Sequence, residues 1–377
     1  MRAPLSALMA FTVSGVVSLL LTPMVRRLAL AQGWIDKPDA RKIHKGTSTP
    51  RLGGLAILAG FGTAAVFCSL VLPECPFSEY REQLVWFAVG LGIICLTGMI
   101  DDIRGLSAFV KLGGQLAAAC AVTFGGGLRI AELSNPFGGV LNLHPLAIPL
   151  TLLWIVGITN AINLLDGLDG LAAGVAAIVL TTIAVGSMRQ GTPSVGIAVI
   201  AAAMAGGAVG FLPYNYHPAS IFMGDTGSLS LGFALGTIST FGFAKATVGT
   251  ALLVPVIAMA VPLIDTTLAI VRRAVQRKGL FRADKGHIHH RMLLRDPGGD
   301  QSRVVKRLYF LTASYSMIAL AFTDPEMRGT VAFVAIVLTL LVSSMWIRQL
   351  CYTESDEEGE PAERNGPAQD LTEDGEE

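Results

Sequence analysis

A chain of 377 residues that is 52% hydrophobic and only 15% charged, with a mean hydropathy of +0.58, is too apolar for an ordinary soluble domain and reads as a multi-span membrane protein. The formal net charge of zero hides a division: from Glu354 onward eleven Asp or Glu face a single Arg, leaving 27 basic and 17 acidic residues in the remainder. A basic body suits anionic headgroups and phosphates, with no call for nucleic acid as a partner. The acidic, Gly- and Pro-punctuated residues 354–377 read as a disordered tail on a membrane domain of residues 1–353. Five cysteines (Cys68, Cys75, Cys95, Cys120 and Cys351) have neither metal-ligand nor disulfide spacing.

The first apolar run, residues 5–25, is long enough to cross a bilayer, which takes about 20 residues. Ala29-Leu30-Ala31 resembles a signal-peptide cleavage site, but Arg26 and Arg27 intervene, so an uncleaved first span is expected. Further runs of spanning length lie at 52–72, 83–100, 108–128, 147–165, 168–188, 194–212, 226–244, 249–271, 304–323 and 329–350. The expected fold is therefore an all-α polytopic bundle of about eleven transmembrane helices. Arg26, Arg27, Lys37, Arg41, Lys42, Lys45 and Arg51 crowd the first loop, and the long loop of residues 272–307 is also basic. By the positive-inside rule both loops and the acidic tail face the cytoplasm, and the amino terminus lies outside.

Within GITNAINLLDGLDGLAAG (157–174), Asn160, Asn163, Asp166 and Asp169 follow one another at three-residue spacing inside an apolar run. An Asp at the centre of a membrane helix costs roughly 2.5–3.5 kcal/mol on insertion scales, so such carboxylates are functional candidates. With Gly167 and Gly170 interleaved, the helix is expected to end near Leu165, leaving both Asp on a turn at the membrane surface. A solvated helix end is the alternative.

The other polar clusters fall on the same expected side. DKPDARKIHKGTSTPRLGG (36–54) fills the first loop, and Asp101-Asp102 close the third span, with Ser107 as an N-cap before Lys111. Two carboxylates at a helix carboxyl end oppose the dipole and call for a cation, whether a metal, Arg104 or Lys111. In YNYHPASIFMGDTGSL (214–229), Asp225 precedes small residues at a helix start, where free amides suit phosphate oxygens. Asp265 and DKGHIHHR (284–291) follow. Oxygen donors from Asn163, Asp225, Asp101, Asp102, Asp166 and Asp169 suit Mg²⁺, which keeps waters and shares substrate phosphates. His287, His289, His290 and Arg291, with Lys285, suit a pyrophosphate better than zinc, although a solvated basic loop would show the same pattern. His44 and Lys45 repeat the theme, and His144 is expected on the far side without a role. Acidic metal ligands and basic phosphate donors on one membrane face point to phosphoryl transfer involving a lipid. A nucleotide-sugar or phosphate transporter is the rival class, but its site would lie near the midplane.

These motifs, with GMIDDIRGLSAFVKLGGQ (98–115) and PLIDTTLAIVRR (262–273), resemble the polyprenyl-phosphate N-acetylhexosamine-1-phosphate transferases from about residue 36 to 293. The resemblance is strongest to the branch that joins UDP-N-acetylglucosamine to undecaprenyl phosphate for O-antigen, enterobacterial common antigen or teichoic acid linkage units. The transferase using UDP-MurNAc-pentapeptide is a more distant likeness. The resemblance implies Mg²⁺, with Mn²⁺ as a substitute, on Asp225 and Asn163, and a homodimer in the bacterial cytoplasmic membrane. It places Asp101 and Asp102 near the lipid phosphate, one as a suggested base, and Lys111 on the pyrophosphate. Asp169, Asn215 and Phe222 fall on the uridine side, with Asp166 between the two halves. His287, His289, His290 and Arg291 fall on the loop over sugar and phosphates, and Lys45 contacts the lipid phosphate.

Overall fold

The computed structural model describes residues 2–36, 49–71, 80–134, 140–189, 195–241, 253–275, 288–296, 298–321, 330, 334 and 337. The chain divides into two units, residues 1–335 and 336–377, and every element named below belongs to the first.

Twelve helices are described: α1 (Arg2–Ala31), α2 (Gly54–Val71), α3 (Arg81–Arg104), α4 (Ala108–Cys120), α5 (Ala147–Leu165), α6 (Leu171–Arg189), α7 (Val195–Asn215), α8 (Gly224–Phe241), α9 (Leu253–Ala258), α10 (Ala260–Val275), α11 (Ile288–Arg295) and α12 (Gln301–Ala321). Seven of the described spans are long and apolar enough to cross a membrane: α1, α2, α3, α4 with its continuation, α5, α6 and α7. The protein is a polytopic helical membrane protein. Strand structure among the described residues is confined to two small antiparallel pairs. One joins β1 (Ile35–Asp36) to β2 (Thr49–Pro50), and the other joins β3 (Glu132–Ser134) to β4 (Val140–Asn142).

Helix α5 stops at Leu165, where the Asp/Gly spacing predicts. The run at 249–271 instead splits into α9 and α10 at Met259. Pro262 has no N–H for the carbonyl of Ala258, so a continuous helix would lose a bond there. The eleventh expected run, 329–350, and the acidic tail lie outside the described residues apart from 330, 334 and 337.

Helices α6 and α7 are almost wholly interior, whereas α1, α3, α4 and the turn that continues α4 carry exposed Leu8, Leu20, Leu96, Phe109 and Phe124, a surface suited to lipid. Because lipid tails are as apolar as leucine, close contact rather than hydrophobicity drives the helices together. At Gly210 of α7 a Cβ would stand 2.1 Å from the carbonyl oxygen of Gly15 in α1, so the two helices meet backbone to backbone. Helix α8 is gripped from both sides. Phe87 of α3 stacks on Phe233 at 5.9 Å, and Trp154 of α5 donates to Ser239 Oγ at 2.8 Å. This grip brings the carboxyl ends of α3 and α5 and the amino ends of α4 and α8 to one end of the bundle.

Candidate functional site

Helix α3 runs on to Arg104, so Asp101 and Asp102 both lie in its last turn. Gly105, at φ 72°, ends it by donating its N–H to the Asp101 carbonyl. Ser107 then caps α4, accepting from the Val110 N–H at 3.4 Å. The two neighbouring carboxylates part company at this point. Asp102 reaches α8, where Oδ1 accepts the Asp225 N–H at 2.9 Å and Oδ2 accepts the Thr226 N–H at 2.9 Å and the Thr226 hydroxyl at 2.7 Å. It is an N-cap supplied by a different helix, and the positive end of the α8 dipole meets its charge. Gly224 permits the approach: its φ is +69°, and a Cβ there would lie 2.4 Å from Asp102 Oδ2. This corrects the expectation that the first amides of α8 are left for phosphate oxygens. Those of Asp225 and Thr226 are taken, because a half-buried carboxylate needs donors.

Asp101 turns the other way. Its Oδ1 accepts the Leu106 N–H at 2.8 Å, and its Oδ2 lies 3.0 Å from Lys111 Nζ. The same ammonium pairs with Asp225 Oδ2, so Lys111 is a cation held between two carboxylates from two helices. Asn163 of α5 completes the group, donating through Nδ2 to Asp225 Oδ1 at 3.0 Å and to Ser228 Oγ at 2.8 Å. Five of the residues singled out in the sequence, Asp101, Asp102, Lys111, Asn163 and Asp225, are thus joined in one hydrogen-bonded network.

The turn between α5 and α6 carries the other acid pair. Burial, followed by the charges of Asp225, Asp102 and Asp169, raises the Asp166 carboxyl well above the usual range. Asp166 therefore belongs to the same electrostatic neighbourhood. Asp169 is buried, and its Oδ2 accepts from His217 Nδ1 at 2.8 Å and from the Ala219 N–H at 3.0 Å. It ties the turn to the loop after α7; Asn215, the last residue of α7, is also buried and donates from Nδ2 to the Ile221 carbonyl of that loop at 3.1 Å. Phe222, at the end of that loop, is half-buried. Its N–H donates to the Pro50 carbonyl at 2.8 Å and its carbonyl accepts the Gly53 N–H at 3.0 Å. One residue on, the start of α2 meets the start of α8 so closely that a Cβ on Gly54 would lie 2.2 Å from the Gly227 nitrogen. Tyr309 of α12 braces the acid turn by donating to the Gly170 carbonyl at 2.5 Å.

Lys45 and His287 lie outside the described residues; His289, His290 and Arg291 fall on α11. Several contributors were not singled out in the sequence. Thr226 and Ser228 are adjacent to the MGD motif and within its reach. His217 is visible only as part of a polar stretch, and Tyr309 sits in an ordinary apolar run 139 positions from the carbonyl it holds.

The donor set suits a hard divalent cation in its chemistry: Asp225 and Asp101 already embrace a positive charge, and Asn163 adds an amide. Among the described residues, no three His, Cys, Asp or Glu side chains close on one point. A divalent ion held there by Asp225 and Asn163 would take the rest of its shell from water and substrate phosphate, which is the habit of Mg²⁺.

Comparison with known proteins agrees with this arrangement. The family model for "Glycosyl transferase family 4" matches residues 84–243, a window that begins in α3, ends just past α8 and contains the whole network. A "Probable undecaprenyl-phosphate N-acetylglucosaminyl 1-phosphate transferase" of Bacillus subtilis is 39% identical over 340 residues, covering 89% of this chain and 91% of its own. A "Decaprenyl-phosphate N-acetylglucosaminephosphotransferase" of Mycolicibacterium smegmatis is 36% identical over 352 residues, 88% of this chain and 86% of its own. A "Phospho-N-acetylmuramoyl-pentapeptide-transferase" of Halalkalibacterium halodurans is 31% identical over 332 residues, 84% of this chain and 96% of its own. With likeness of this extent running through and beyond the acidic network, the chain belongs to glycosyl transferase family 4.

Proposed function

We propose that the protein transfers N-acetylglucosamine 1-phosphate from UDP-N-acetylglucosamine to undecaprenyl phosphate. The products are undecaprenyl diphosphate-linked N-acetylglucosamine and UMP, the first membrane step of a cell-envelope polysaccharide. The observation that carries the reading is the Lys111 ammonium gripped by Asp101 and Asp225 where α3, α4 and α8 meet at one end of the bundle. A site for two polyanions needs fixed positive charge and a metal platform together, at a place that both a lipid headgroup and a soluble nucleotide can reach. The N-acetylglucosamine group is supported by the names of both the Bacillus and the Mycolicibacterium relatives, and the undecaprenyl acceptor by the Bacillus relative, the Mycolicibacterium one being named for decaprenyl phosphate. The pentapeptide transferase is less similar, at 31% against 39% identity, and a UDP-MurNAc substrate ranks second accordingly.

In this reading an oxygen of the lipid phosphate attacks the sugar-linked phosphorus in line. The new P–O bond forms as the bond to the UMP oxygen breaks, and UMP departs with that oxygen. A phosphate monoester has a second pKa of about 6, so the acceptor is already largely ionised and little proton abstraction is needed. Lys111 neutralises the diphosphate, and Asp101 orients Lys111 from behind. Asp225 and Asn163 would hold Mg²⁺, for which Mn²⁺ could substitute, and the cation would supply charge neutralisation at the reacting phosphates. Asp169 and Asn215, buried and hydrogen-bonded, shape the nucleotide side, which Phe222 lines, and the basic stretch from His287 to Arg291 closes over the sugar. The rate enhancement comes from positioning and electrostatics.

The test is to incubate membranes holding the protein with undecaprenyl phosphate, Mg²⁺ and a panel of labelled UDP-sugars. Label from UDP-N-acetylglucosamine should pass into an organic-extractable product, and chelation should abolish it. Label accumulating inside vesicles without a lipid product would replace the transferase with a transporter.

A further inference from the structure

One polar contact deeper in the bundle has no place in the chemistry above. Gln115 of α4 is 2% exposed, and its Nε2 donates to Asn160 Oδ1 at 3.2 Å. Asn160 of α5 returns a bond from Nδ2 to Gln115 Oε1 at 2.6 Å, and also donates to the carbonyl of Val156 at 2.9 Å. The two side chains form a closed, reciprocal amide pair between helices within the apolar runs. Gln115 follows Lys111 by four residues and Asn160 precedes Asn163 by three, so the pair lies about one helical turn beneath the two residues that hold Asp225.

Helix α4 needs such a fixture. Its outer face presents Phe109, Val110 and Leu116 with large exposure, and it runs on into a π-helical turn at Ala121–Gly125. Toward α3 the side chain of Thr97 fills the space over Gly114, where a Cβ would lie 2.4 Å from its Oγ1, a close fit to α3 that leaves the register against α5 to other contacts. Apolar packing in lipid discriminates weakly between axial positions, because sliding exchanges one hydrocarbon contact for another. An amide pair is different: a slide of one residue, about 1.5 Å with a turn of about 100°, breaks both of its bonds.

We infer that Gln115 and Asn160 are positioning residues that fix the axial register of α4 against α5 and so set the reach of Lys111 to Asp225. The inference rests on the transferase reading, in which Lys111 must meet the diphosphate beside the metal ligands. A displacement of about 1 Å at a reacting group can cost about 10²-fold in rate, so a distant clasp can govern turnover without touching substrate.

The experiment uses the full-length enzyme in membranes or nanodiscs. The double variant Gln115→Leu/Asn160→Leu removes both partners together, which leaves no orphaned amide and commonly spares stability. Its kcat should fall at least about tenfold, with KM for UDP-sugar and for lipid within about twofold of the parent and the thermal midpoint unchanged. The exchange Gln115→Asn/Asn160→Gln, which restores an amide pair, should recover much of the loss. Adding Lys111→Ala to the leucine pair should cost little more than Lys111→Ala alone, because the clasp acts through Lys111. Should the leucine pair not assemble, Gln115→Met alone should show the same fall in kcat. Parent-like kcat in the leucine pair, a loss confined to KM, or losses that multiply with Lys111→Ala would each overturn the inference. A parent enzyme that makes no lipid-linked product would sink the transferase reading instead, so the two failures are distinct.

Discussion

Two acid pairs contribute to this site, Asp101 with Asp102 and Asp166 with Asp169, and they solve the same problem in opposite ways. Asp101 and Asp102 are adjacent on a helix, so their side chains diverge by about 100° and reach different partners. Asp166 and Asp169 are separated by Gly167 and Leu168 on a turn that has left the helix. Within each pair one carboxylate is spent on architecture: Asp102 caps α8, and Asp169 holds the loop that carries His217 and Ala219. Of the other two, Asp101 shares the Lys111 ammonium with Asp225, and Asp166 feels the charge of Asp225. They differ in compensation. Asp101 has the Lys111 ammonium at 3.0 Å, whereas burial and three neighbouring carboxylates press Asp166 toward its neutral form. A cluster of acids is therefore not a set of equivalent catalysts. Which partner lies within reach of each side chain decides which acids build the fold and which are left to the site.

The comparison can be broken most directly at the group both pairs surround. Asp225→Ala removes the carboxylate that Lys111 and Asn163 share, and turnover should fall by about 10³-fold or more at any Mg²⁺ concentration. Full activity in a lipid-extraction assay would mean the metal is held elsewhere.

The division within the first pair gives the next largest contrast. Asp101→Asn should lower kcat by about 10²-fold while leaving the thermal midpoint near that of the parent, since a single polar contact to Lys111 is weakened. Asp102→Ala should behave as a lost cap, reducing stability by about 1–2 kcal/mol along with activity. Equal stability in both variants would erase the distinction drawn here.

The second pair makes a pH prediction. Raised in the folded protein, the Asp166 carboxyl keeps its proton where an ordinary one is ionised, so the metal-free fold loses stability as pH rises through that value. A divalent cation favours the ionised form and must displace the proton. The thermal shift produced by Mn²⁺ or Mg²⁺ should accordingly grow as pH rises above the ordinary carboxylate range, and Asp166→Asn should reduce that growth. A shift independent of pH in the parent would separate Asp166 from the cation. The smallest effect is expected at His144, in a short turn before α5 at the opposite end of that helix from Asn163, where His144→Ala should change stability and activity little, within about 0.5 kcal/mol.

Much of this was legible in the residues. Runs of about 20 apolar residues have one stable solution in a bilayer, since helices alone satisfy every backbone group within the run. The end of α5 at Leu165 was readable because glycine after a helix favours a turn, and the Ser107 cap because a hydroxyl before a helix has a local donor to bind. Lys111, Asn163, Asp225 and the acid pairs stood out because charge and amide groups are expensive in hydrocarbon and so carry a purpose. What each of them does was not legible. Asp102 meets α8 across 123 positions, His217 meets Asp169 across 48, Gln115 meets Asn160 across 45, and Tyr309 meets Gly170 across 139. Local propensity acts over a few residues and says nothing about which distant donor a side chain will find. The chain by itself determined that there are spans, where α5 stops and that acids gather near helix ends. Only the packing of α3, α4 and α5 around α8 decided which acid became a cap and which clamps Lys111, because hydrogen bonds in an apolar interior form with whatever partner the helix contacts bring within reach.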